Sequence, residues 1–263
     1  MSGPVRSGSR IERLPAQLQR PAVFLRELVP NSVLDRLQPR FVYRSDGMAT
    51  AHHSPFLDDA AFDRLYWETA PRWEKGPKDL RWRVWVLTRC AMQCQDLGAN
   101  FAEFGVYRGA SAFMVLSFAR LGPQQRFFLF DTFAGIPTGS LTASEHKAGF
   151  GGRLADTSEE EVRAYLAAWP DQVSLVVGDV TETLDEVDTG PLAFAHLDLN
   201  AAEATVNALA SAYTRMVPGG MVVLDDYGWA DYADQRRAVE GFLADKPETL
   251  LALPTGQALV VKL

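Results

Sequence analysis

Only two cysteines, four histidines and no surplus of positive charge occur in the 263 residues of this chain. Each scarcity narrows the field. Cys90 and Cys94 stand four residues apart in a helical pattern, so their side chains share one helix face. A redox pair uses a two-residue gap, and a zinc site needs further ligands nearby, so the two read as reduced core residues. Lys plus Arg number 26 against 33 for Asp plus Glu, a formal charge of −7. That balance argues against nucleic acid as a partner, because phosphate backbones recruit net-basic faces. No run of about 18 apolar residues occurs, so no membrane span is expected. The opening stretch Met1–Arg10 is polar and lacks the apolar centre of a signal peptide. A cytoplasmic protein is the expectation.

What is present is an ordinary globular mixture, 47% hydrophobic and 22% charged, which suits one large domain or a domain with an appendage. Residues 1–77 read as a tail and a helical extension or lid. Ala16–Leu37 holds helical pieces broken at Pro21 and Pro30, and the polar stretch Tyr43–Ser54 carries His52 and His53. A helix capped by Asp58 or Asp59 runs towards Ala70, with Phe62, Leu65 and Tyr66 at helical spacing. The break Pro71–Lys78 then opens a second part, 78–263. The tryptophans Trp67, Trp73, Trp82 and Trp85 read as packing between the two parts. The helices of the extension offer a dimer contact, although nothing in their pattern requires one.

In the second part Leu80, Val84, Leu87, Ala91 and Cys94 form one apolar helical stripe. Strands are then predicted at Asn100–Phe104, Arg126–Asp131, Val173–Gly178, Leu192–Asp198, Met221–Asp225, Thr249–Leu253 and Ala258–Lys262. Between them lie helices at Ala110–Leu121, Ser158–Trp169, near Glu182–Val187, Ala201–Met216 and Asp234–Ala244, and Ser158 with Glu161 spells a capping box. Strands that alternate with helices imply right-handed crossovers and a parallel sheet. Pro254–Gln257 is too short for such a crossover, so the last two strands form an antiparallel hairpin. The expected fold class is therefore α/β: a Rossmann-like, mostly parallel seven-stranded sheet with a terminal antiparallel hairpin. That ending separates class I methyltransferases from dinucleotide dehydrogenases.

The strand ends carry the chemistry. Phe101-Ala-Glu-Phe-Gly-Val-Tyr-Arg-Gly109 turns from the first sheet strand into a helix, with Gly105 and Gly109 permitting a tight turn and a close backbone approach to a ligand. The spacing is G-x-x-x-G, not the pyrophosphate cradle G-x-G-x-x-G. Glu103 is poorly suited to a phosphate but could hold an amino or hydroxyl group. Asp131 ends the second strand, where a carboxylate can accept both hydrogen bonds of a ribose diol, and Gly178-Asp179 ends the third, placed to meet an adenine. Asp198 ends the fourth strand, and Asp225 and Asp226 end the fifth. Three carboxylates at one edge repel unless a hard cation lies among them, and oxygen ligands favour Mg²⁺, Mn²⁺ or Ca²⁺ over Zn²⁺. Neighbouring strand residues face opposite ways, so Asp225 and Asp226 both reach one ion only if the chain bends there.

From about Trp82 to Leu263 the chain resembles the macrocin O-methyltransferase family, whose members methylate sugar hydroxyls with the help of magnesium. The resemblance is carried by Phe101–Gly109, Phe130-Asp-Thr-Phe-Ala-Gly-Ile-Pro137, Asp156-Thr-Ser158, Val177-Gly-Asp-Val-Thr-Glu-Thr-Leu184, His196-Leu-Asp-Leu-Asn200, Val217-Pro-Gly-Gly-Met-Val-Val-Leu-Asp-Asp-Tyr227 and the ending Leu253–Lys262. It implies S-adenosylmethionine contacts at Glu103, Gly105, Tyr107, Arg108, Gly109, Ser111, Asp131, Thr132, Asp179 and Val180. It also implies metal ligation by Asp198, Asp225 and Asp226. Asn200 departs from the Asp-Gly-Asp of macrolide-sugar members, which removes a charge there.

The implied reaction is in-line displacement of the sulfonium methyl by a hydroxyl oxygen of a sugar or saccharide. A general base must take the hydroxyl proton, and the candidates are Asp198 and His146. His146 lies in the long segment Thr132–Thr157, rich in Gly, Ser and Thr, which reads as a lid. His196 reads instead as a hydrogen-bonded core histidine. Alternatives are a catechol or phenol acceptor, a non-catalytic cofactor-binding or scaffolding protein and, disfavoured by the glycine spacing and the terminal hairpin, a dehydrogenase.

Overall fold

The computed structural model describes residues 41–74, 76 and 78–263. The helical pieces expected in Ala16–Leu37 lie outside those residues. Two compact units are present: described residues 41–44 and 49–53 belong to one, and 45–48 with 54–263 to the other. In the first, Val42 N–H donates to the Thr50 carbonyl at 2.8 Å, and His52 and His53 are exposed. Short strands β1 (Tyr43–Ser45) and β2 (Met48–Thr50) meet at Asp46-Gly47, a turn whose two residues both have positive φ, as a two-residue hairpin demands.

The second unit opens with α1 (Ala60–Thr69), whose N-cap Asp59 accepts from Phe62 N–H, and α2 (Arg81–Cys94). Phe62 stacks edge-on against Trp85 at 5.0 Å and Phe56 against Trp82 at 5.3 Å, so these two tryptophans are packing residues. Trp67 stays 43% exposed. Cys90 and Cys94 are buried free thiols on α2.

The sheet then runs β3 (Asn100–Phe104), α3 (Ala110–Phe118), β4 (Phe127–Asp131), α4 (Ala143–Lys147), α5 (Glu159–Tyr165), β5 (Val173–Val177), α6 (Val180–Glu186), β6 (Leu192–Leu197), α7 (Ala202–Arg215), β7 (Met216–Leu224), α8 (Ala233–Leu243), β8 (Leu251–Ala252) and β9 (Ala258–Val261). Its order is β5-β4-β3-β6-β7-β9-β8. Every pair from β5 to β7 is parallel, and β9 is antiparallel to both β7 and β8. The expected α/β fold with its terminal hairpin is what the chain adopts. Strands of a buried parallel sheet are apolar on both faces. Accordingly Phe101, Phe127 and Phe194 pack one face with Leu87, Val115 and Val162, and Phe104, Phe130 and Leu197 pack the other with Ala208, Leu209 and Val239.

Several boundaries differ from expectation. The helices expected to reach Leu121 and Trp169 stop at Phe118 and Tyr165. Strand β7 begins at Met216, not Met221, and runs through Pro218 and Gly219; Gly219 has φ +84°, and the pairing with β6 shifts register between Leu192 and Phe194. Such a bulge lets a strand carry turn residues. At Ser158 only half of the expected capping box forms, the bond from Glu161 N–H. A reciprocal box instead joins Thr142 and Glu145 at the start of α4.

Candidate active site

The loops at the carboxyl ends of β3, β4, β5, β6 and β7 surround one cavity of about 390 Å³, where open α/β sheets bind their ligands. Of the residues expected to hold a cofactor, Gly105, Tyr107, Arg108, Ser111, Asp131, Thr132, Asp179 and Val180 line it. Gly109 caps α3 in a left-handed conformation. Asp131 organises this half. Its Oδ2 accepts from the amides of Val106 and Tyr107 at 2.7 and 2.8 Å, and its Oδ1 accepts from Phe133 N–H at 2.7 Å. A carboxylate has about four acceptor positions, so two are spent on the turn after β3, one on the loop after β4, and one remains for a ligand. Asp179 caps α6 through Thr181 N–H, and the Thr132 hydroxyl bonds the Gly135 carbonyl.

Gly105 closely approaches the Asp198 backbone. A Cβ at this position, φ +88°, would stand 2.0 Å from the Asp198 carbonyl oxygen. The glycine turn after β3 and the acid at the end of β6 are thereby built against each other.

Glu103 does not reach the cavity. The register pairs it with His196 on the neighbouring strand, and its Oε1 lies 2.8 Å from His196 Nδ1, both residues only 1% exposed. The expected cofactor contact at Glu103 is not part of this cavity: alternation along β3 puts the carboxylate on a sheet face, against His196. His196 is the buried, hydrogen-bonded histidine expected. Burial opposes its charge, but the carboxylates of Asp225 and Glu103 on either side push it up to about 10.

The acids do converge. His196, Asp198 and Asp225 each bring one ligand atom within 4.8 Å of the others. Strand β7 ends at Leu224, so the alternation rule no longer applies to Asp225 and Asp226; both line the cavity and are buried. Asp225 is held on all sides, by Arg83 at Oδ2 and by Gln257 Nε2 at 2.8 Å on Oδ1, with His196 Nε2 3.6 Å away. Burial works against its ionisation, but Arg83 and His196 hold it well below the usual carboxylate range. Asp198 and Asp226 titrate the other way. Burial pushes both up, and each is pushed further by the neighbouring acids. The buried Asp226 Oδ2 has no hydrogen-bond partner.

His146 is not brought to this site. The Thr142–Glu145 box turns Glu145 inward, where Oε1 accepts from Ala202 N–H at 2.8 Å and caps α7, and leaves His146 on the exposed side of α4. Four residues without a local sequence signal join the acids instead. Arg83 comes from α2, Asp46 from the turn between β1 and β2, and Trp229 and Tyr232 from the segment after β7. Tyr232 donates to Asn200 Oδ1 at 2.5 Å, and Asn200 Nδ2 donates to Asp198 Oδ1 at 3.1 Å.

The family model for Macrocin-O-methyltransferase (TylF) matches residues 82–249. The chain belongs to that family. It is 32% identical over 139 residues to the 8-demethyl-8-(2,3-dimethoxy-alpha-L-rhamnosyl)-tetracenomycin-C 4'-O-methyltransferase of Streptomyces olivaceus, covering 49% of this chain and 52% of that protein. To the demethyldecarbamoylnovobiocin O-methyltransferase of Streptomyces niveus it is 28% identical over 144 residues, 50% and 54% of the two chains. The chain thus spans about half the length of the curated relatives it matches. Its fold is that of the O-methyltransferase NovP, with a TM-score of 0.65 at 19% identity over 78% of this chain and 98% of that one. Among the described residues no helix is long and apolar enough to cross a membrane.

Proposed function

We propose that the protein transfers the methyl group of S-adenosylmethionine to a hydroxyl of a sugar or saccharide in the cytoplasm, with Mg²⁺ or Mn²⁺ held by the acidic cluster. The observation that carries this reading is the single cavity shared by the Asp131-ordered turn and the acids. The named activity of the Streptomyces olivaceus relative, on a rhamnosyl group, supports the choice of a sugar, and that of the Streptomyces niveus relative supports O-methylation. The cofactor half comprises the turn Gly105–Ser111 with Asp131, Thr132, Asp179 and Val180. A hard divalent cation suits the other half: the donors are carboxylate oxygens, and Asp226 Oδ2 is buried with nothing to bind. Asp198, Asp225 and Asp226 would hold it. When bound, it would acidify a sugar hydroxyl and fix its direction.

The chain's own residues do the rest. Asp198 is the base of choice, because its carboxylate lines the cavity and is oriented by the Asn200 amide, so an oxygen turned away from the ion would meet the hydroxyl proton. As the hydroxyl oxygen forms its bond to the methyl carbon, the carbon–sulfur bond breaks and its electron pair stays on sulfur. The hydroxyl proton passes to Asp198. Glu103, His196 and Gln257 brace Asp225, and the Asn200 amide fixes the Asp198 carboxylate. Trp73, Phe150, Trp229 and Tyr232 give the cavity aromatic faces suited to a sugar ring.

Calorimetric titration with S-adenosylmethionine, with and without Mg²⁺, tests the cofactor. Wild type binds, and Asp131→Ala loses more than about 100-fold in affinity, since two charge-assisted bonds to the turn and one to Phe133 vanish. A folded wild type that binds no S-adenosylmethionine overturns the proposal. Methyl transfer to a panel of glycosides and phenols then identifies the acceptor.

A further inference from the structure

The acidic cluster already contains a positive charge. Arg83 projects from the first turn of α2, and its guanidinium lies between two sets of acids. Towards one side Nε and Nη2 reach the two oxygens of Asp46 at 3.1 and 3.4 Å. Towards the other Nη1 bonds Asp225 Oδ2 and stands 3.8 Å from Asp226 Oδ1. The Arg83 side chain is 15% exposed, that of Asp46 11% and that of Asp225 7%, so water screens these charges weakly.

The group is also confined. Its guanidinium carbon sits 5.4 Å from the ring centre of Trp229. That ring is wedged between two glycines: a Cβ on Gly47 would stand 3.4 Å from it, and a Cβ on Gly256 would stand 2.7 Å from Nε1. An arginine cannot shed its proton under these conditions, so the charge is permanent. An incoming ion must draw on Asp225, whose oxygens are already engaged by Arg83 and Gln257.

We propose that Arg83 is the resident cation of the acidic cluster, holding Asp225 and Asp226 together in the ion-free protein and opposing entry of a divalent ion. Asp46 moderates that opposition because its negative charge, paired with the guanidinium, offsets part of the field at the ion. Arg83 is thus a positioning residue that sets ion affinity through Asp225 and Asp226. The inference rests on the cation site proposed above and adds the residue that tunes it. Asp46 precedes the span matched by the family model, so this control lies partly outside the shared domain.

Opposite signs separate this role from simple structural support. Mn²⁺ is titrated into the full-length wild type, Arg83→Met, Arg83→Lys and Asp46→Asn, and free ion is read from its electron paramagnetic resonance signal. A single and a double positive charge about 6 Å apart repel strongly enough to change affinity roughly tenfold even at the dielectric of water. Arg83→Met therefore binds Mn²⁺ about tenfold more tightly than wild type, Asp46→Asn several-fold more weakly, and Arg83→Lys close to wild type. An ion bound by Arg83→Met but not by wild type also supports the proposal. Wild-type binding that Arg83→Met only matches or weakens overturns the role of Arg83 alone. No Mn²⁺ binding by any of the four removes the cation site and this inference with it. If near-ultraviolet circular dichroism shows Arg83→Met unfolded, Asp46→Asn decides, and affinity equal to or above wild type refutes the proposal.

Discussion

Replacing Gly105 with alanine tests the joint between the cofactor turn and the acidic cluster. The new Cβ would lie 2.0 Å from the Asp198 carbonyl oxygen and 2.7 Å from its carbon. Both are backbone atoms, so no side chain can swing aside. The two strand ends must part, against the bonds from Gly105 N–H to the Phe130 carbonyl and from Asp198 N–H to the Phe104 carbonyl, 2.9 and 2.8 Å long. A non-glycine residue at φ +88° costs about 1–2 kcal/mol, and overpacking adds about 1–3 kcal/mol. The sum, roughly 2–5 kcal/mol, lowers the melting temperature by about 5–20 °C for a domain of this size. Turnover also falls in the folded variant, because the Asp198 carboxylate moves with its backbone. Gly241 on α8, with nothing within 4 Å of its missing Cβ, is the control: alanine there stabilises by about 0.5–1 kcal/mol. Thermal unfolding followed by circular dichroism, with methyl transfer assayed well below the transition, reads both effects. A Gly105→Ala protein that melts within about 2 °C of wild type and turns over normally refutes the reasoning.

Tyr232→Phe removes the hydroxyl that fixes which end of the Asn200 amide faces Asp198. It should lower kcat about tenfold, the scale of one lost hydrogen bond, and leave S-adenosylmethionine affinity unchanged in a calorimetric titration. Glu248 supplies a pH dependence remote from the site. Burial opposes its charge, but Lys262 Nζ at 2.5 Å and the Tyr213 hydroxyl at 2.6 Å hold it down at about 2. A depressed carboxylate contributes stability that is complete above its ordinary value of 4.5 and lost as pH falls through about 2. Urea midpoints measured across that window should fall more steeply for wild type than for Glu248→Gln.

The architecture was legible because buried parallel strands are short apolar runs and their crossovers are amphipathic helices. Asn100–Phe104 and Ala258–Val261 stand out on that ground, and the short link Pro254–Gln257 forces the last pair to be antiparallel. The start of β7 was hidden because Pro218-Gly219-Gly220 reads as a turn, while the sheet absorbs it as a bulge. At the site, Asp131, Asp198, Asp225 and Asp226 were legible from their places at strand ends. Glu103 misled for the same reason: strand-end position says nothing about the lateral register that pairs it with His196. His146 stood in the right segment, but the capping box that turns it outward depends on Glu145 finding the α7 terminus 57 residues on. Arg83, Asp46, Tyr232 and Gln257 carry no local pattern. Arg83 and Asp225 are 142 residues apart, and only the completed sheet brings them together.

The brace at Gln257 bears on the order in which the chain becomes competent. Asp225 obtains this carboxamide from a position 32 residues further along. At about 5–20 residues per second, a ribosome needs roughly two to six seconds to cover that interval. The acids that follow β6 and β7 are thus made before β9, the antiparallel neighbour that covers the β7 edge. Closing the hairpin covers the edge and delivers the brace in one event. The acid cluster is therefore finished only by the segment that leads into the last strand, whereas the turn ordered by Asp131 is closed by strands made earlier.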